Sequence, residues 1–144
     1  MSRLRYPVLA GTYRITSGFG PRNGKAHRGI DFASVVPGKD YSGAHILAAA
    51  DGVVVEARSG VSGFGCWVWL RHTIDGKRVD TIYGHMPASS FTVEAGDKVA
   101  AGQKLAEVGD EGDSSGAHLH FEVWADGRLS GTAVDPALWL PKGY

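Results

Sequence analysis

Cysteine is almost absent from this chain. Cys66 is the single cysteine among 144 residues, so no disulfide can form within the chain. It lies in the apolar run from Cys66 to Leu70, and a free cysteine in such a run behaves as a small hydrophobic side chain. We therefore predict that Cys66 is a buried structural thiol rather than a nucleophile.

The chain also lacks an excess of charge and any long apolar run. Lysine and arginine total 15, aspartate and glutamate total 15, and the formal net charge is zero. Such a surface offers no general attraction for nucleic acid or anionic lipid, so we expect no nucleic-acid partner. No run approaches the roughly 20 apolar residues of a membrane span, and residues 1–10 lack the apolar stretch of a signal peptide. We expect no membrane insertion.

Proline is scarce, whereas glycine is abundant. The chain has 6 prolines and 21 glycines, which favours many tight turns between short strands. A chain of this length corresponds to one domain by size. We expect residues 1–144 to form a single domain, with a motif-bearing core at about 11–140. The predicted fold is antiparallel all-β, and we expect a monomer.

Aspartate-glycine pairs mark the predicted hairpins. Asp51-Gly52 separates apolar runs at 46–50 and 53–57 and predicts a first tight hairpin. Asp75-Gly76 predicts a second, between residues 67–72 and 78–83. The other predicted boundaries are a turn at Gly96-Asp97 before a segment at 99–108, a turn at Asp126-Gly127, and a short helical tail at 136–140 capped by Asp135.

The most informative motif is the His-x-His run at residues 118–120. Side chains alternate between the two faces of a strand, so His118, His120, Glu122 and Trp124 are predicted to share one face. The residues between them, Leu119, Phe121 and Val123, are apolar and can enter a core. The paired imidazoles then line a cleft in which a metal ion or a reacting group can be held.

A second pair of candidate ligands precedes this strand. His27 lies four residues before Asp31, and Gly29 permits a bend between them. Zinc accepts imidazole nitrogen and carboxylate oxygen, and a catalytic zinc usually has three protein ligands and a water. His27, Asp31 and one histidine of the His-x-His pair would complete such a set.

The remaining histidines differ in context. His85 ends a strand and precedes a proline, a position where loops often carry functional groups. His72 lies at a strand end before the second turn, and we predict a structural role for it. His45 has no partner nearby in sequence, and we predict that it is structural or faces solvent.

In this order, the motifs His27-x3-Asp31, Tyr83-x-His85 and His118-x-His120 resemble those of lysostaphin-type zinc endopeptidases. This family cuts peptide bonds in bacterial peptidoglycan. The resemblance extends from about Ser17 to Pro136. It implies a β-sandwich with a groove that holds Zn²⁺, and a partner consisting of peptidoglycan peptide stems and cross-bridges.

The resemblance also implies a role for each site residue. His27, Asp31 and His120 would bind zinc, and His85 and His118 would assist catalysis without binding it. Because the chain has no His-Glu-x-x-His helix, another group must move the proton. We favour His118 as the general base, which leaves His85 to stabilise the oxyanion or protonate the leaving amine.

The pattern departs from that of related sequences in two places. The loop at residues 110–116 carries three acids, where relatives more often have a neutral turn. We expect this acidic loop to affect substrate preference, because its negative charge would favour a substrate amine near the scissile bond. A tyrosine that some relatives place beside the zinc is missing, and Arg22 is the nearest polar candidate for its role. Glu122 either orients His120 or is a solvated carboxylate.

Three other functions compete with this interpretation. The first is a non-catalytic module of the same fold that binds peptidoglycan or activates a hydrolase. The second is a carrier domain, because residues 93–103 resemble a biotinyl or lipoyl hairpin, although Lys98 leads into a strand rather than occupying a hairpin tip. The third is a zinc hydrolase with another substrate.

We expect the protein to act on the bacterial cell wall. A phage lysin, a virion-associated hydrolase and an excised catalytic domain of a secreted protein all fit the sequence, and we favour the phage origin. A chain without disulfides suits synthesis in a reducing compartment. The sequence leaves two candidates for the bond that is cut, the bond from D-Ala to diaminopimelate and a bond within a glycine bridge.

Overall fold

The computed structural model describes residues 3–22 and 25–142. Almost all regular structure in these residues is antiparallel β-sheet, as predicted. In chain order the strands are Tyr13–Ser17 (β1), Gly20–Arg22 (β2), Lys25–His27 (β3), Ile30–Ser34 (β4), His45–Leu47 (β5), Gly52–Val61 (β6), Gly65–Ile74 (β7), Lys77–Gly84 (β8), Lys98–Val99 (β9), Lys104–Glu107 (β10), Leu119–Ala125 (β11) and Thr132–Val134 (β12).

One large sheet dominates the fold. Its strands lie in the order β1-β4-β11-β8-β7-β6-β9, and β12 pairs with the second half of β11. Two small sheets, β5 with β10 and β2 with β3, complete the β-structure of the described residues. Strand β11 therefore lies in the middle of the sheet, between β4 and β8.

The main core lies between one face of the large sheet and the small sheet β5–β10. Phe32, Phe121 and Tyr83 project from the large sheet, and Ile46 and Leu105 project from the small one. All five side chains are buried. The opposite face of the large sheet carries a separate cluster of buried tryptophans with Val61 and Ile82.

The predicted two-faced character of β11 is confirmed. Leu119, Phe121 and Val123 are fully buried in the main core. Trp124 joins the tryptophan cluster on the other face, and Glu122 is buried on that side as well. This alternation directs His120 away from the core and toward the site described below.

The hairpin predicted at Asp75-Gly76 is confirmed. Ile74 pairs with Lys77, so the connection between β7 and β8 is a two-residue loop. Asp75 and Gly76 have φ values of 52° and 77°, and two consecutive positive φ values match the right-handed twist of the flanking strands.

The hairpin predicted at Asp51-Gly52 is wrong. Strand β5 pairs with β10, and β6 pairs with β7 and β9, so β5 and β6 are not partners. Gly52 does not have a positive φ. Instead, a Cβ at this position would collide with the main-chain oxygen of Arg71, so this glycine permits close packing between strands rather than a turn.

Other boundaries are confirmed in part. Asp126 and Gly127 end β11 with φ values of 63° and 91°. The segment at 99–108 is divided between β9 and β10, because Gly102 turns the chain with a φ of 84°. The helical tail is shorter than predicted, a 3-10 helix at Pro136–Leu138, and the Asp135 carboxylate does cap it by accepting the Ala137 N–H. The sequence analysis did not predict strands β1 to β4, strand β12 or the 3-10 helix Ala88–Ser90.

The structural assignments of Cys66, His72 and His45 agree with the structure. Cys66 is buried, and burial, reinforced by the charge of Glu111, raises the pKa of its thiol. His72 is buried with both ring nitrogens hydrogen-bonded, to the Asp51 carbonyl and to the Thr81 hydroxyl. His45 is exposed. Among the described residues, no helix is long and apolar enough to span a membrane.

A buried hydrogen-bond chain links the two layers of the main core. The Tyr83 hydroxyl accepts the Ala49 N–H at 3.0 Å and lies 2.8 Å from Thr81 Oγ1. We expect Tyr83→Phe to lower the free energy of unfolding by about 1–3 kcal/mol, because the buried Ala49 N–H loses its acceptor. Urea unfolding of the metal-free protein measures this. Tyr41→Phe is the control, since it loses a single partly buried hydrogen bond to Thr12, and equal losses in the two variants would contradict the prediction.

Candidate metal centre

The register of β11 brings the separated sequence motifs together. His120 lies opposite Asp31 of β4 and opposite Gly84, the last residue of β8. His85 directly follows Gly84, so the backbone of His85 also lies near His120. The sheet therefore gathers parts of all three motifs around one residue of its central strand.

His27 reaches the same point from the small sheet β2–β3. It is the last residue of β3, and the chain passes through Arg28 and Gly29 into β4. A Cβ on Gly29 would collide with the main-chain oxygen of Phe121. Gly29 is therefore required mainly because the chain between His27 and Asp31 packs directly against β11.

Three candidate ligand atoms lie within hydrogen-bonding distance of one another. His27 Nε2 is 3.2 Å from His120 Nδ1 and 3.3 Å from Asp31 Oδ1, and the latter two atoms are 2.9 Å apart. Zinc bonds of about 2.0 Å in a tetrahedral site require about 3.3 Å between ligand atoms. Two imidazoles and one carboxylate at these separations fit a tetrahedral metal with its fourth position open.

The second nitrogen of each candidate histidine ligand is also engaged. His27 Nδ1 lies 2.8 Å from the Gly18 carbonyl, and His120 Nε2 lies 2.8 Å from Glu122 Oε2. Both partners are acceptors, so these two nitrogens donate protons, and His27 Nε2 and His120 Nδ1 are the nitrogens that face the common centre. Outer acceptors of this kind orient metal-binding histidines, and of the two roles considered for Glu122 the structure favours orientation of His120.

The electrostatics of this cluster favour an ionised carboxylate. Burial alone would raise the pKa of Asp31, but the hydrogen bond from His120 and the charges of His120, His118 and His27 outweigh it and bring the pKa to about 2. Burial alone would lower the pKa of His120, but its hydrogen bonds to Asp31 and Glu122 raise that pKa to about 9. Asp31 therefore offers an ionised oxygen to the common centre, and a metal ion bound there would replace the proton that His120 shares with Asp31.

His85 is held in an unusual backbone conformation beside this cluster. Its φ is 77°, in the left-handed region that histidine rarely adopts. Its Nδ1 donates to the Glu111 carbonyl at 2.6 Å, which leaves Nε2 as a lone-pair acceptor. Burial, together with the neighbouring His118, lowers the pKa of His85 and so favours the neutral form of its ring.

His118 lies on the open side of the cluster. It precedes β11 and pairs with Gly109 through an isolated bridge, so the strand proper begins one residue later than the motif. Its Nδ1 lies 2.8 Å from the Gly116 carbonyl, and its Nε2 lies 3.8 Å from Asp31 Oδ1. The rings of His118 and His85 are 4.7 Å apart, so the two histidines border the same space.

The acidic loop at residues 110–116 has a positioning role that the sequence analysis missed. Its carbonyls at Glu111 and Gly116 hold His85 and His118. The loop is fixed in turn by close packing between Gly65 and Gly112, whose φ values are 71° and 72°. A Cβ on either glycine would collide with the backbone of the other loop.

Phe64 is a second residue that the sequence analysis missed. Its ring lies 5.6 Å from the ring of His120 and stacks on His85 at 6.4 Å. Gly84 makes room for it, because a Cβ there would come within 2.6 Å of Cδ1 of Phe64. The sequence feature that indicates an aromatic ring packed at this position is therefore Gly84 of the Tyr83-Gly84-His85 motif.

These residues line an open groove of about 840 Å³. Its lining includes Phe64, Asp113 and two arginines, Arg28 and Arg128. The five histidine and aspartate residues predicted for the site all border it. The side chain of Arg22 lies outside the described part of the structure, so the role suggested for it stays a prediction.

A scan against protein-family models identifies the group of proteins to which this chain is related. Residues 25–136 match the model described as peptidase family M23, and this segment is well over half of the chain. The chain belongs to peptidase family M23. The resemblance to lysostaphin-type endopeptidases is thereby confirmed.

Named relatives of this M23 chain include a bacterial peptidase and a bacterial lipoprotein homolog. It is 35% identical to the DD-carboxypeptidase/endopeptidase Mpg of Neisseria meningitidis over 85% of its own length, which covers 26% of that protein. It is 36% identical to the lipoprotein NlpD/LppB homolog of Pseudomonas aeruginosa over 83% of its length, covering 35% of that protein. The chain thus spans about a quarter to a third of the length of these curated relatives.

Solved structures of this family share the fold. The catalytic domain of the antimicrobial peptidase lysostaphin from Staphylococcus simulans matches with a TM-score of 0.74 and 32% identity, covering 88% of this chain and 90% of that domain. The prophage-encoded M23 protein EnpA from Enterococcus faecalis matches with a TM-score of 0.73 and 31% identity, and the match covers 96% of this chain and 98% of that one.

Glu122→Gln tests the orientation of His120. We expect about 10- to 100-fold weaker zinc binding, because the amide no longer supplies a charged acceptor for His120 Nε2–H. Competition with a chromophoric chelator measures the affinity. Glu56→Gln is the matched control, since Glu56 accepts the indole N–H of Trp67 much as Glu122 accepts that of Trp124. An unchanged affinity in Glu122→Gln would show that His120 does not depend on this carboxylate.

Proposed function

We propose that this chain is a zinc-dependent endopeptidase that hydrolyses peptide cross-links of bacterial peptidoglycan. The observation that carries the proposal is the cluster of His27, Asp31 and His120, beside which two further histidines present free nitrogens. Two imidazoles and one carboxylate around an open position are a donor set suited to catalytic zinc. When bound, zinc supplies Lewis acidity, which polarises a carbonyl and makes a water more acidic.

The two other histidines have the orientation required for proton transfer. In the tautomers set by the carbonyls of Gly116 and Glu111, His118 and His85 each keep an unprotonated Nε2. A group in this form accepts a proton before it can donate one. Both residues are therefore prepared to act as bases in the resting protein.

We assign the role of general base to His118. Its Nε2 is 3.8 Å from Asp31 Oδ1, which puts it next to the open side of the ligand cluster. The proton that it takes from the attacking water can then pass to the leaving amine, as in general acid-base catalysis at other peptidases. His85 is more deeply buried than His118, and we assign to it the stabilisation of the developing oxyanion, for which its Nε2 takes up a proton from solvent.

The relatives support peptidoglycan as the substrate. The name of the Neisseria relative describes action as a DD-carboxypeptidase and endopeptidase, and lysostaphin is described as an antimicrobial peptidase. An open groove, rather than a closed pocket, suits a polymer whose stems and bridges must lie across the site. The site of action would be the bacterial cell wall.

The direct test uses purified peptidoglycan of two types, one with direct D-Ala to diaminopimelate cross-links and one with glycine bridges. We expect fragment release by the purified protein, loss of release after chelation and recovery when zinc is returned. Mass spectrometry of the new termini identifies the bond that is cut. Bound zinc without release from either wall would favour a non-catalytic module that binds peptidoglycan or activates a hydrolase.

Two variants separate catalysis from metal binding. We expect His118→Ala to keep stoichiometric zinc and lose about 10²- to 10⁴-fold in kcat, whereas Asp31→Ala should lose the metal itself. Zinc content by atomic emission and fragment release measure the two effects. His45→Ala, at an exposed histidine of β5, is the control and should change neither. Normal cleavage by His118→Ala would refute its assignment as the base.

A further inference from the structure

Arg128 lies in the wall of the groove that holds the site. It follows the Asp126-Gly127 turn at the end of β11 and lines the same groove as His120 and Glu122. Its main-chain N–H donates to Asp80 Oδ2 at 2.8 Å, which fixes the backbone at this point. The backbone of Arg128 is thus anchored to β8 of the large sheet.

Two indole rings hold the guanidinium of Arg128. Its Cζ lies 4.6 Å from the ring centroid of Trp124 and 5.6 Å from that of Trp67. Stacking of this kind immobilises a planar cation while leaving its edge donors available. Arg128 therefore loses little further conformational entropy when a ligand binds, because its side chain is already ordered.

The nearby carboxylates are already engaged by other groups. Both oxygens of Glu122 are occupied, one by His120 and the other by the indole of Trp124. Asp80 accepts the indole N–H of Trp69 and forms an ion pair with Arg78. Within the described residues Arg128 has no ion-pair partner, and its buried Nε has no hydrogen-bond acceptor. A cation that is immobilised but unpaired can bind an anion from outside the chain.

The Arg128 guanidinium is connected to the ligand cluster through Trp124 and Glu122. The ring under Arg128 is hydrogen-bonded to Glu122, and Glu122 is hydrogen-bonded to His120, at 2.7 Å and 2.8 Å. An anion on Arg128 would therefore sit one side chain along the groove from the ligand cluster. Arginine pairs with carboxylates through two parallel hydrogen bonds.

We propose that Arg128 is a specificity-determining residue that binds a carboxylate of the substrate next to the bond that is cut. This inference rests on the proposed endopeptidase function. In a D-Ala to diaminopimelate cross-link, the carbon that bears the scissile nitrogen also bears a free carboxylate. The interior of a glycine bridge carries no such group. The substrate class is thus a direct cross-link with a free acid, and not a glycine bridge.

The test compares two synthetic cross-linked peptides that differ only in this carboxylate, which is free in one and amidated in the other. The zinc-loaded protein should cleave the free acid with about 10- to 100-fold higher kcat/KM than the amide. Arg128→Gln should bring the two peptides to similar kcat/KM. Arg128→Lys, which keeps the charge without the paired donors, should recover part of the preference.

Matched arginines and a binding measurement complete the design. Arg58→Gln is the control, because Arg58 also lies over Trp67, at 6.0 Å, but is paired with Glu56 and does not line the groove. Zinc content and thermal unfolding of each variant exclude a folding defect as the cause of an altered ratio. Calorimetric binding of both peptides is measured in parallel with cleavage.

The outcomes distinguish this inference from the function on which it rests. Preferential binding of the free acid that Arg128→Gln abolishes, with no cleavage of either peptide, would support the carboxylate site and overturn the endopeptidase. Equal binding and equal kcat/KM for the two peptides in the unmutated protein would overturn the role of Arg128. A preference that is lost in Arg28→Gln but kept in Arg128→Gln would also overturn it, because Arg28 is the exposed arginine of the same groove.

Discussion

The site depends on the pairing of β11 between β4 and β8. This pairing sets His120 opposite Asp31 on one side and opposite Gly84 on the other. A shift of one residue would turn His120 into the core and Leu119 or Phe121 into the groove. The apolar residues of β11 prevent such a shift, because they are completely buried in the main core. The packing of the core thus fixes the geometry of the candidate metal centre.

Hydrogen-bond acceptors fix the orientation of each histidine in the site. Main-chain carbonyls hold His27, His85 and His118, and a carboxylate holds His120. Each acceptor therefore fixes the orientation of its ring, so that the other ring nitrogen faces the groove. The carbonyls of Glu111 and Gly116 belong to the acidic loop at residues 110–116, and the carbonyl of Gly18 comes from a distant segment. The site is preorganised by backbone positions, which explains the close contacts between glycines of neighbouring loops.

The predicted hairpins illustrate how far local sequence can determine a fold. Asp75-Gly76 forms the predicted turn, because the strands on either side pair with each other continuously from Trp67 and Gly84 to Ile74 and Lys77. Asp51-Gly52 has the same two residue types, yet β5 pairs with β10 and β6 pairs with β7. Pairing across the whole chain outweighed the local turn preference, since a central strand gains more buried contact than an isolated hairpin.

The sequence by itself determined the residues that can carry the chemistry, the alternation of β11 and the antiparallel all-β class. These depend on residue type and on a period of two along the strand, both of which are local. Only the tertiary structure decided that His27, Asp31 and His120 meet, that the acidic loop serves as a backbone support, and that Arg128 lies on two indoles. Each of these arrangements includes a contact between residues distant in the chain, namely His27 with His120, His85 with Glu111, and Arg128 with Trp67, so each requires the register and packing of the whole sheet.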